Sequence, residues 1–72
     1  MTDQEKITFI KSILVELFQN NSDIEPDTIF ADIDIDSLGI VELQLVAEER
    51  LKLDVVNPYN TVLTVKDLMN MM

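Results

Sequence analysis

The stretch that decides the fold is DSLGIVELQLVAEERLK, residues 36–52. Asp36 and Ser37 are favourable residues for the start of a helix, because their side-chain oxygens can accept a hydrogen bond from a free backbone N–H group. Nothing after them breaks a helix except Gly39, which a helix tolerates at a modest cost. The stretch therefore predicts one helix that begins at Asp36-Ser37 and runs to about Lys52.

This helix has two apolar faces instead of one. At 100° per residue, one face collects apolar side chains that suit a core, namely Ile40, Leu43, Ala47 and Leu51. The roughly opposite side mixes apolar and acidic side chains, namely Leu38, Val41, Glu42, Leu45, Glu48 and Glu49. Neighbouring helices of a small bundle could cover this second side. We favour a docking surface, on which apolar groups supply contact energy and carboxylates steer a basic partner.

Two further helices flank this one. Thr2 and Glu5 have the spacing of a capping box, which predicts a first helix that runs to about Gln19. Its apolar residues recur at helical spacing and are Ile7, Ile10, Ile13, Leu14, Leu17 and Phe18. Thr64 and Asp67 open a last helix, which the apolar residues extend to Met72.

The connection between the first two helices, residues 20–35, is long for a compact domain. Its apolar residues indicate that it packs onto the helices, and they are Ile24, Ile29, Phe30, Ile33 and Ile35. We expect a short turn of helix at residues 57–60, where the sequence NPYN interrupts the pattern. The prediction is one all-α domain over residues 1–72, a small bundle of three main helices with a short extra helix and a long first loop.

The amino-acid composition limits the classes of function that the chain can have. The chain lacks His and Cys, so the commonest general base and the readiest nucleophile are absent, and we do not expect an enzyme. Its net charge of −9 excludes nucleic acid and anionic membranes as partners and favours a basic protein surface. Without disulfides, a signal peptide or an apolar span of about 20 residues, we expect a cytoplasmic protein.

Residues 30–43, FADIDIDSLGIVEL, resemble the attachment segment of acyl carrier proteins, which is approximately F-x-D-L-G-x-D-S-L-x-x-V-E-L. The resemblance implies a free-standing carrier on which a transferase moves phosphopantetheine from coenzyme A to the Ser37 hydroxyl, between Asp36 and Leu38. The terminal thiol of that arm then holds an acyl group as a thioester. A serine at a helix N-terminus suits this role, since backbone N–H groups and the helix dipole favour an anion there.

The resemblance also implies a set of partner-binding residues, namely Asp36, Leu38, Val41, Glu42, Leu45 and Glu48. The helical face adds Glu49 to them. The implied partners are a phosphopantetheinyl transferase and the acyl-loading, condensing and acyl-transferring enzymes of a fatty-acid, polyketide or related pathway. These enzymes are expected to present basic docking surfaces to a monomeric carrier.

Three residues depart from the family pattern. Asp34 stands where the family usually has Gly, Gly39 replaces an acidic residue common in fatty-acid carriers, and Arg50 interrupts the usual acidic end of the helix. Together they favour a dedicated pathway, such as polyketide synthesis, over a housekeeping role in fatty-acid synthesis.

Other classes of function fit parts of the sequence. Asp32, Asp34 and Asp36 alternate like the start of an EF-hand, but Ser37 and Leu43 stand where its Gly and Glu belong, which leaves only loose divalent-cation binding open. An unmodified acidic interaction module would show the same surface, so only the modification of Ser37 distinguishes a carrier from it. An aminoacyl or peptidyl carrier shares the arm, but it usually has Gly in place of Asp36.

Overall fold

The computed structural model describes residues 1–52 and 62–72. Over these ranges the chain forms α1 (Asp3–Phe18), a 3₁₀ helix (Phe30–Ile33), α2 (Ser37–Leu51) and α3 (Val65–Met69). This confirms the prediction of a small all-α bundle with a long first loop. The short helical turn predicted at 57–60 lies outside the described residues.

The predicted helix starts are confirmed atom by atom. At α1, the Glu5 N–H donates to Thr2 Oγ1 at 3.2 Å and the Thr2 N–H donates to Glu5 Oε1 at 3.1 Å, which completes a capping box. Thr64 and Asp67 form the same box at the start of α3. Gln19 follows the last residue of α1 and lies in the left-handed region at φ 53°, which agrees with the predicted end of this helix at about Gln19.

The last helix is shorter than predicted. It ends at Met69 instead of continuing to Met72. The N–H of Met71 donates to the carbonyl of Leu68, and the N–H of Met72 donates to that of Met69, each at 3.1 Å. These bonds span three residues, as in a 3₁₀ turn, because the final residues of a helix commonly tighten in this way.

The core lies where α1 packs against α2 and α3, with the first loop closing one side. Its buried residues are Ile10, Ile13, Leu14, Ile24, Phe30, Ile35, Leu43, Ala47, Val62, Val65, Leu68 and Met69. The prediction that the loop packs inward is therefore confirmed for Ile24, Phe30 and Ile35. It is wrong for Ile29, which is exposed, while Ile33 is half-buried. Ile29 is extended, so it points away from the side on which Phe30 is buried.

The loop is held by backbone pairing that the sequence did not predict. Ile29 and Thr64 form an isolated antiparallel bridge. Bonds on either side of it join the loop to the start of α3: Phe30 N–H to Leu63 O at 3.0 Å, Val65 N–H to Thr28 O at 2.9 Å, and Lys66 N–H to Pro26 O at 2.8 Å. A loop that would otherwise leave backbone groups unpaired thus becomes part of the packed domain.

None of the helices in residues 1–52 and 62–72 has the length and apolar character needed to cross a membrane.

Candidate functional site

Ser37 is the first residue of α2, but it is not the residue that caps the helix. Asp36 is the N-cap, and its Oδ1 accepts the N–H of Gly39 at 2.8 Å. The Ser37 side chain is exposed, and its hydroxyl hydrogen-bonds to no residue in the described part of the chain. Because Asp36 performs the capping, the Ser37 hydroxyl is left free to react.

The turn before Ser37 depends on Asp34. This residue lies in the left-handed region at φ 64°, and the next N–H group, that of Ile35, donates to the carbonyl of Phe30 at 3.0 Å. Gly is the residue that adopts this conformation without strain, while Asp is among the few others that adopt it routinely. The departure from the family pattern at Asp34 therefore keeps the backbone shape that Gly would give.

Asn20 supports the same turn from the end of α1, and the sequence analysis missed it. Its Nδ2 donates to the carbonyl of Ile33 at 2.7 Å, and its Oδ1 accepts the N–H of Ser22 at 3.0 Å. The asparagine pair at 20–21 had indicated only a turn. Which of the two amides reaches across the loop depends on the fold, so no local pattern reveals it.

The apolar residues assigned to the outer side of α2 face solvent. Leu38 is 78% exposed, Val41 49% and Leu45 54%, and the acidic residues Glu42 and Glu49 are exposed beside them. We call these five residues the outer stripe. Glu48, predicted on the same surface, is half-buried and sits at its edge. The interpretation that bundle neighbours cover this side is therefore wrong for the outer stripe.

The four residues predicted for the core face of α2 are all buried or half-buried. Leu43 and Ala47 are buried, and Ile40 and Leu51 are half-buried. Gln44 was missed: it is only 5% exposed, and its Nε2 donates to Met71 Sδ at 3.4 Å. It lies four residues after Ile40, hence on the same side of the helix, and that spacing was the available signal.

Arg50 is directed away from the outer stripe. Its Nη2 lies 2.6 Å from Glu16 Oε1, so this exposed ion pair joins the end of α2 to α1. Pairs of this kind contribute about 0–1 kcal/mol to stability. Arg50 therefore pairs with a carboxylate of α1 and not with the carboxylates of the outer stripe.

A groove of about 290 Å³ opens beside Ser37 between the end of α1 and the start of α2. Its lining is Phe18, Asp34, Ile35, Asp36, Leu38, Gly39 and Glu42. A Cβ atom at Gly39 would lie 3.0 Å from Ile35 Cγ2 and 3.4 Å from Phe18 Cζ. Gly39 is therefore packed closely against these neighbours, and any larger residue at this position would require them to shift.

The carboxylates around Ser37 do not form a metal site. No group of three or more His, Cys, Asp or Glu residues with a geometry that could hold a metal ion occurs in residues 1–52 and 62–72. At the start of α3, the N–H groups of Leu63 and Thr64 lower the pKa of Asp67, and on α1 Lys11 lowers that of Asp23. The site is therefore an exposed hydroxyl at a helix start, beside a groove.

These residues fit a phosphodiester-linked arm. The Ser37 oxygen is accessible, and the backbone N–H groups of Ser37 and Leu38 donate to no residue that the structure describes. They lie at the positive end of a 15-residue helix. A phosphate on the hydroxyl would therefore meet free N–H donors and a favourable dipole.

The comparisons with known proteins agree with this geometry. Residues 8–71 match the family described as phosphopantetheine attachment site. Searches of curated proteins and of solved structures each gave no match. The family match covers nearly the whole chain, and it confirms the resemblance to acyl carrier proteins. The chain therefore belongs to the phosphopantetheine attachment-site family and is a carrier domain with a covalently attached phosphopantetheine, not a catalyst.

Proposed function

We propose that the protein is an acyl carrier that bears its arm on Ser37. The observation that supports the proposal is that Asp36, and not Ser37, caps the start of α2. Asp36 makes the capping bond to Gly39, and the exposed Ser37 hydroxyl makes none to the described residues. A serine that is not needed to begin its helix is available for modification.

The attachment step transfers the phosphopantetheinyl group of coenzyme A to the Ser37 oxygen. The Ser37 oxygen bonds to the phosphorus that carries pantetheine in coenzyme A, the bond from that phosphorus to the diphosphate bridging oxygen breaks, and adenosine 3′,5′-bisphosphate leaves. The hydroxyl proton passes to a base of the transferase, since this chain has no His and Asp36 is engaged with Gly39. Once attached, the arm supplies a thiol that holds acyl groups as thioesters.

The outer stripe is the proposed docking surface, with Asp36 beside the serine and Glu48 at its edge. Its exposed apolar side chains offer contact area, and its carboxylates attract basic surfaces. The partners are a phosphopantetheinyl transferase and the acyl-loading, condensing and acyl-transferring enzymes of a fatty-acid, polyketide or related pathway. We propose a cytoplasmic monomer that binds neither nucleic acid nor membranes, in keeping with its net charge of −9.

Asp36 also favours an acyl over an aminoacyl or peptidyl carrier. Its Oδ1 makes the bond that begins α2. The Gly that is usual at this position in aminoacyl and peptidyl carriers has no side chain with which to make it. The start of α2 is thus built in the manner expected of acyl carriers.

Intact-mass measurement tests the attachment. The protein is incubated with coenzyme A and a broad-specificity phosphopantetheinyl transferase, and we expect one added arm. Ser37→Ala should abolish the gain, whereas Ser12→Ala should keep it, because Ser12 lies on α1 and donates its hydroxyl to the Phe9 carbonyl. No gain with several transferases, or a gain that persists in Ser37→Ala, would overturn the proposal.

A further inference from the structure

Gln44 and Met71 make a contact that the carrier function does not use. It joins α2 to the turn that follows α3. We propose that Met71 is a site of reversible oxidation by peroxide, and that the buried amide of Gln44 holds the oxygen of its sulfoxide. Neither residue lines the groove beside Ser37 or belongs to the outer stripe, so this inference does not depend on the proposed attachment of the arm.

The side-chain amide of Gln44 is a buried hydrogen-bond donor. The residue is only 5% exposed, and its Nε2 donates to Met71 Sδ at 3.4 Å. A buried amide usually pairs with an oxygen, because removing a polar group from water is costly unless a good hydrogen bond replaces the one to water. The acceptor that the described residues offer to this Nε2 is a thioether sulfur, which is a weak acceptor. A strong donor therefore has a weak partner.

Oxidation of Met71 gives this donor a strong partner. The Met71 sulfur attacks one oxygen of hydrogen peroxide, the O–O bond breaks, and the proton of the transferred hydroxyl passes to the departing hydroxide to give water. The sulfur loses two electrons and the peroxide gains them. The product is a sulfoxide, which is polar where the thioether was apolar. Its oxygen can accept the N–H of Gln44.

The Met71 side chain has the access and the freedom that this reaction needs. It is partly exposed, which gives peroxide a route, and partly packed against the core. A methionine side chain is unbranched and has three rotatable bonds, so a small rotation places the new oxygen opposite Nε2 where the sulfur was. The N–H of Met71 donates to the carbonyl of Leu68 at 3.1 Å, which keeps the backbone in position during this adjustment.

The other methionines lack such a partner in the part of the chain that the structure describes. Met69 is 5% exposed within the core, where a sulfoxide would place an oxygen among apolar side chains. Met1 is 61% exposed, so water would hydrate its sulfoxide. Met72 is half-buried, and its sulfur accepts no side-chain hydrogen bond from residues 1–52 or 62–72. Met71 is therefore distinguished by the donor that faces its sulfur.

The oxidation state of this sulfur sets the strength of the contact between α2 and the turn after α3. Methionine oxidation commonly disrupts packing, because it introduces a polar group among apolar ones. At Met71 the amide that receives the oxygen is already in place, so oxidation strengthens the contact instead. Methionine sulfoxide reductases return the sulfur to the thioether, so the change is reversible.

Peroxide treatment of the full chain tests the proposal. Ser37 is left unloaded, so that no thiol of the arm consumes peroxide. A background protein with Met69→Leu and Met72→Leu leaves Met71 and Met1 to react, and Leu is a well-tolerated replacement for Met. Peptide mass mapping locates the added oxygen. The matched control is Met71→Leu in the same background, which reports the effect of oxidising Met1 alone.

Two measurements follow the oxidation. In ¹⁵N nuclear magnetic resonance, we expect the side-chain amide resonances of Gln44 to shift when Met71 is oxidised and to stay in place in the Met71→Leu control. Oxidation of Met71 should leave the melting temperature unchanged or raise it. In Gln44→Leu the oxygen meets no amide, so the same oxidation should lower the melting temperature by about 4–8 °C relative to its effect in the background protein, the shift that one net hydrogen bond gives in a domain of this size.

Three results would overturn the proposal. The first is a Met71 that stays reduced in peroxide that fully oxidises Met1. The second is a set of Gln44 amide resonances that do not move when mass mapping finds the Met71 sulfoxide. The third is an equal change in melting temperature with and without the Gln44 amide. If Gln44→Leu does not fold, the amide resonances decide, since they are measured without any change at Gln44.

Discussion

Gly39 donates its N–H to Asp36 Oδ1 at 2.8 Å, and this bond begins the helix that carries Ser37. An N-cap side chain satisfies one of the backbone donors that a helix start leaves free. The same two residues line the groove, so the cap also fixes one wall of it. The stability of α2 and the shape of the site are therefore linked at a single contact.

We expect Asp36→Ala to lower the free energy of unfolding by about 1 kcal/mol, within the usual range of about 0.5–2 kcal/mol for a lost N-cap. Asp36→Asn keeps an oxygen that can accept the Gly39 N–H, so it should retain most of the stability. Urea denaturation of both variants measures the difference. If Asp36→Ala unfolds at the same urea concentration as the wild type, the contact does not stabilise α2.

Asn20 should matter more than its neighbour Asn21. Asn20→Ala removes the bond to the Ile33 carbonyl at 2.7 Å and the bond from the Ser22 N–H at 3.0 Å, both partly buried. We expect a loss of about 1–2 kcal/mol of stability, since a partly buried carbonyl is left without its donor. Asn21→Ala changes an exposed side chain and should stay within about 0.5 kcal/mol. Equal thermal stability of the two variants would contradict this assignment.

Asp67 should make the domain sensitive to acid. The N–H groups of Leu63 and Thr64, each 3.0 Å from Oδ2, hold the pKa of this carboxyl below its ordinary value in the folded protein. A lowered folded pKa means that the unfolded chain binds the proton first. The stabilisation is therefore complete above the ordinary pKa of about 3.9 and is lost as the pH falls from there through the folded pKa.

Comparison of the wild type with Asp67→Asn isolates this effect, because Asn has no acidic proton to bind. Protonation of the other carboxylates also relieves repulsion in a chain of net charge −9, so the wild-type curve alone would mix two opposite trends. We expect the stability advantage of Asp67 over Asn to shrink as the pH falls below about 4. An advantage that stays constant down to strong acid would show that it does not come from the ionised carboxylate.

The outer stripe should control the rate of modification more than the fold. Glu42→Lys combined with Glu49→Lys replaces exposed residues and should change stability by less than about 0.5 kcal/mol per site. It should slow transfer of the arm to Ser37, because it inverts the field that attracts a basic transferase. The slowing should diminish with added salt, since the screening length is about 8 Å at 0.15 M.

Two controls sharpen this measurement. Glu25→Lys combined with Asp27→Lys makes the same change in net charge on exposed loop residues, and it should slow transfer less. Leu38→Ala removes contact area from a side chain that is 78% exposed, so its effect should depend little on salt. Equal rates for the two double variants would mean that overall charge, and not the outer stripe, directs the transferase.

The parts of the fold that follow from local sequence were predicted well. The capping boxes at Thr2 and Thr64 involve residues three apart, and the faces of α2 follow from a fixed angle per residue, so both are visible in a single stretch. The exposure of Leu38, Val41 and Leu45 was therefore predictable.

The parts that depend on distant contacts were not predicted. Ile29 was expected in the core because it is apolar, but its pairing with Thr64 turns it outward, and nothing near either residue indicates that pairing. The groove needs Phe18 and Gly39 to meet from two helices. The exposed Ser37 could be identified from its neighbours, whereas the groove beside it could be found only in three dimensions.

The pairing of the first loop with the start of α3 has a consequence for biosynthesis. Translation delivers residues 62–66 last among the partners of this contact, after the whole of α2 has been made. Until they leave the ribosome, Thr28 and Phe30 lack the groups that pin the loop, namely the Val65 N–H and the Leu63 carbonyl. In a nascent chain that lacks residues 62–66, the loop before Ser37 is held by fewer bonds, such as the one from Asn20 to the Ile33 carbonyl. We expect a transferase to act on the chain only after residues 62–66 have been made and have paired with the loop.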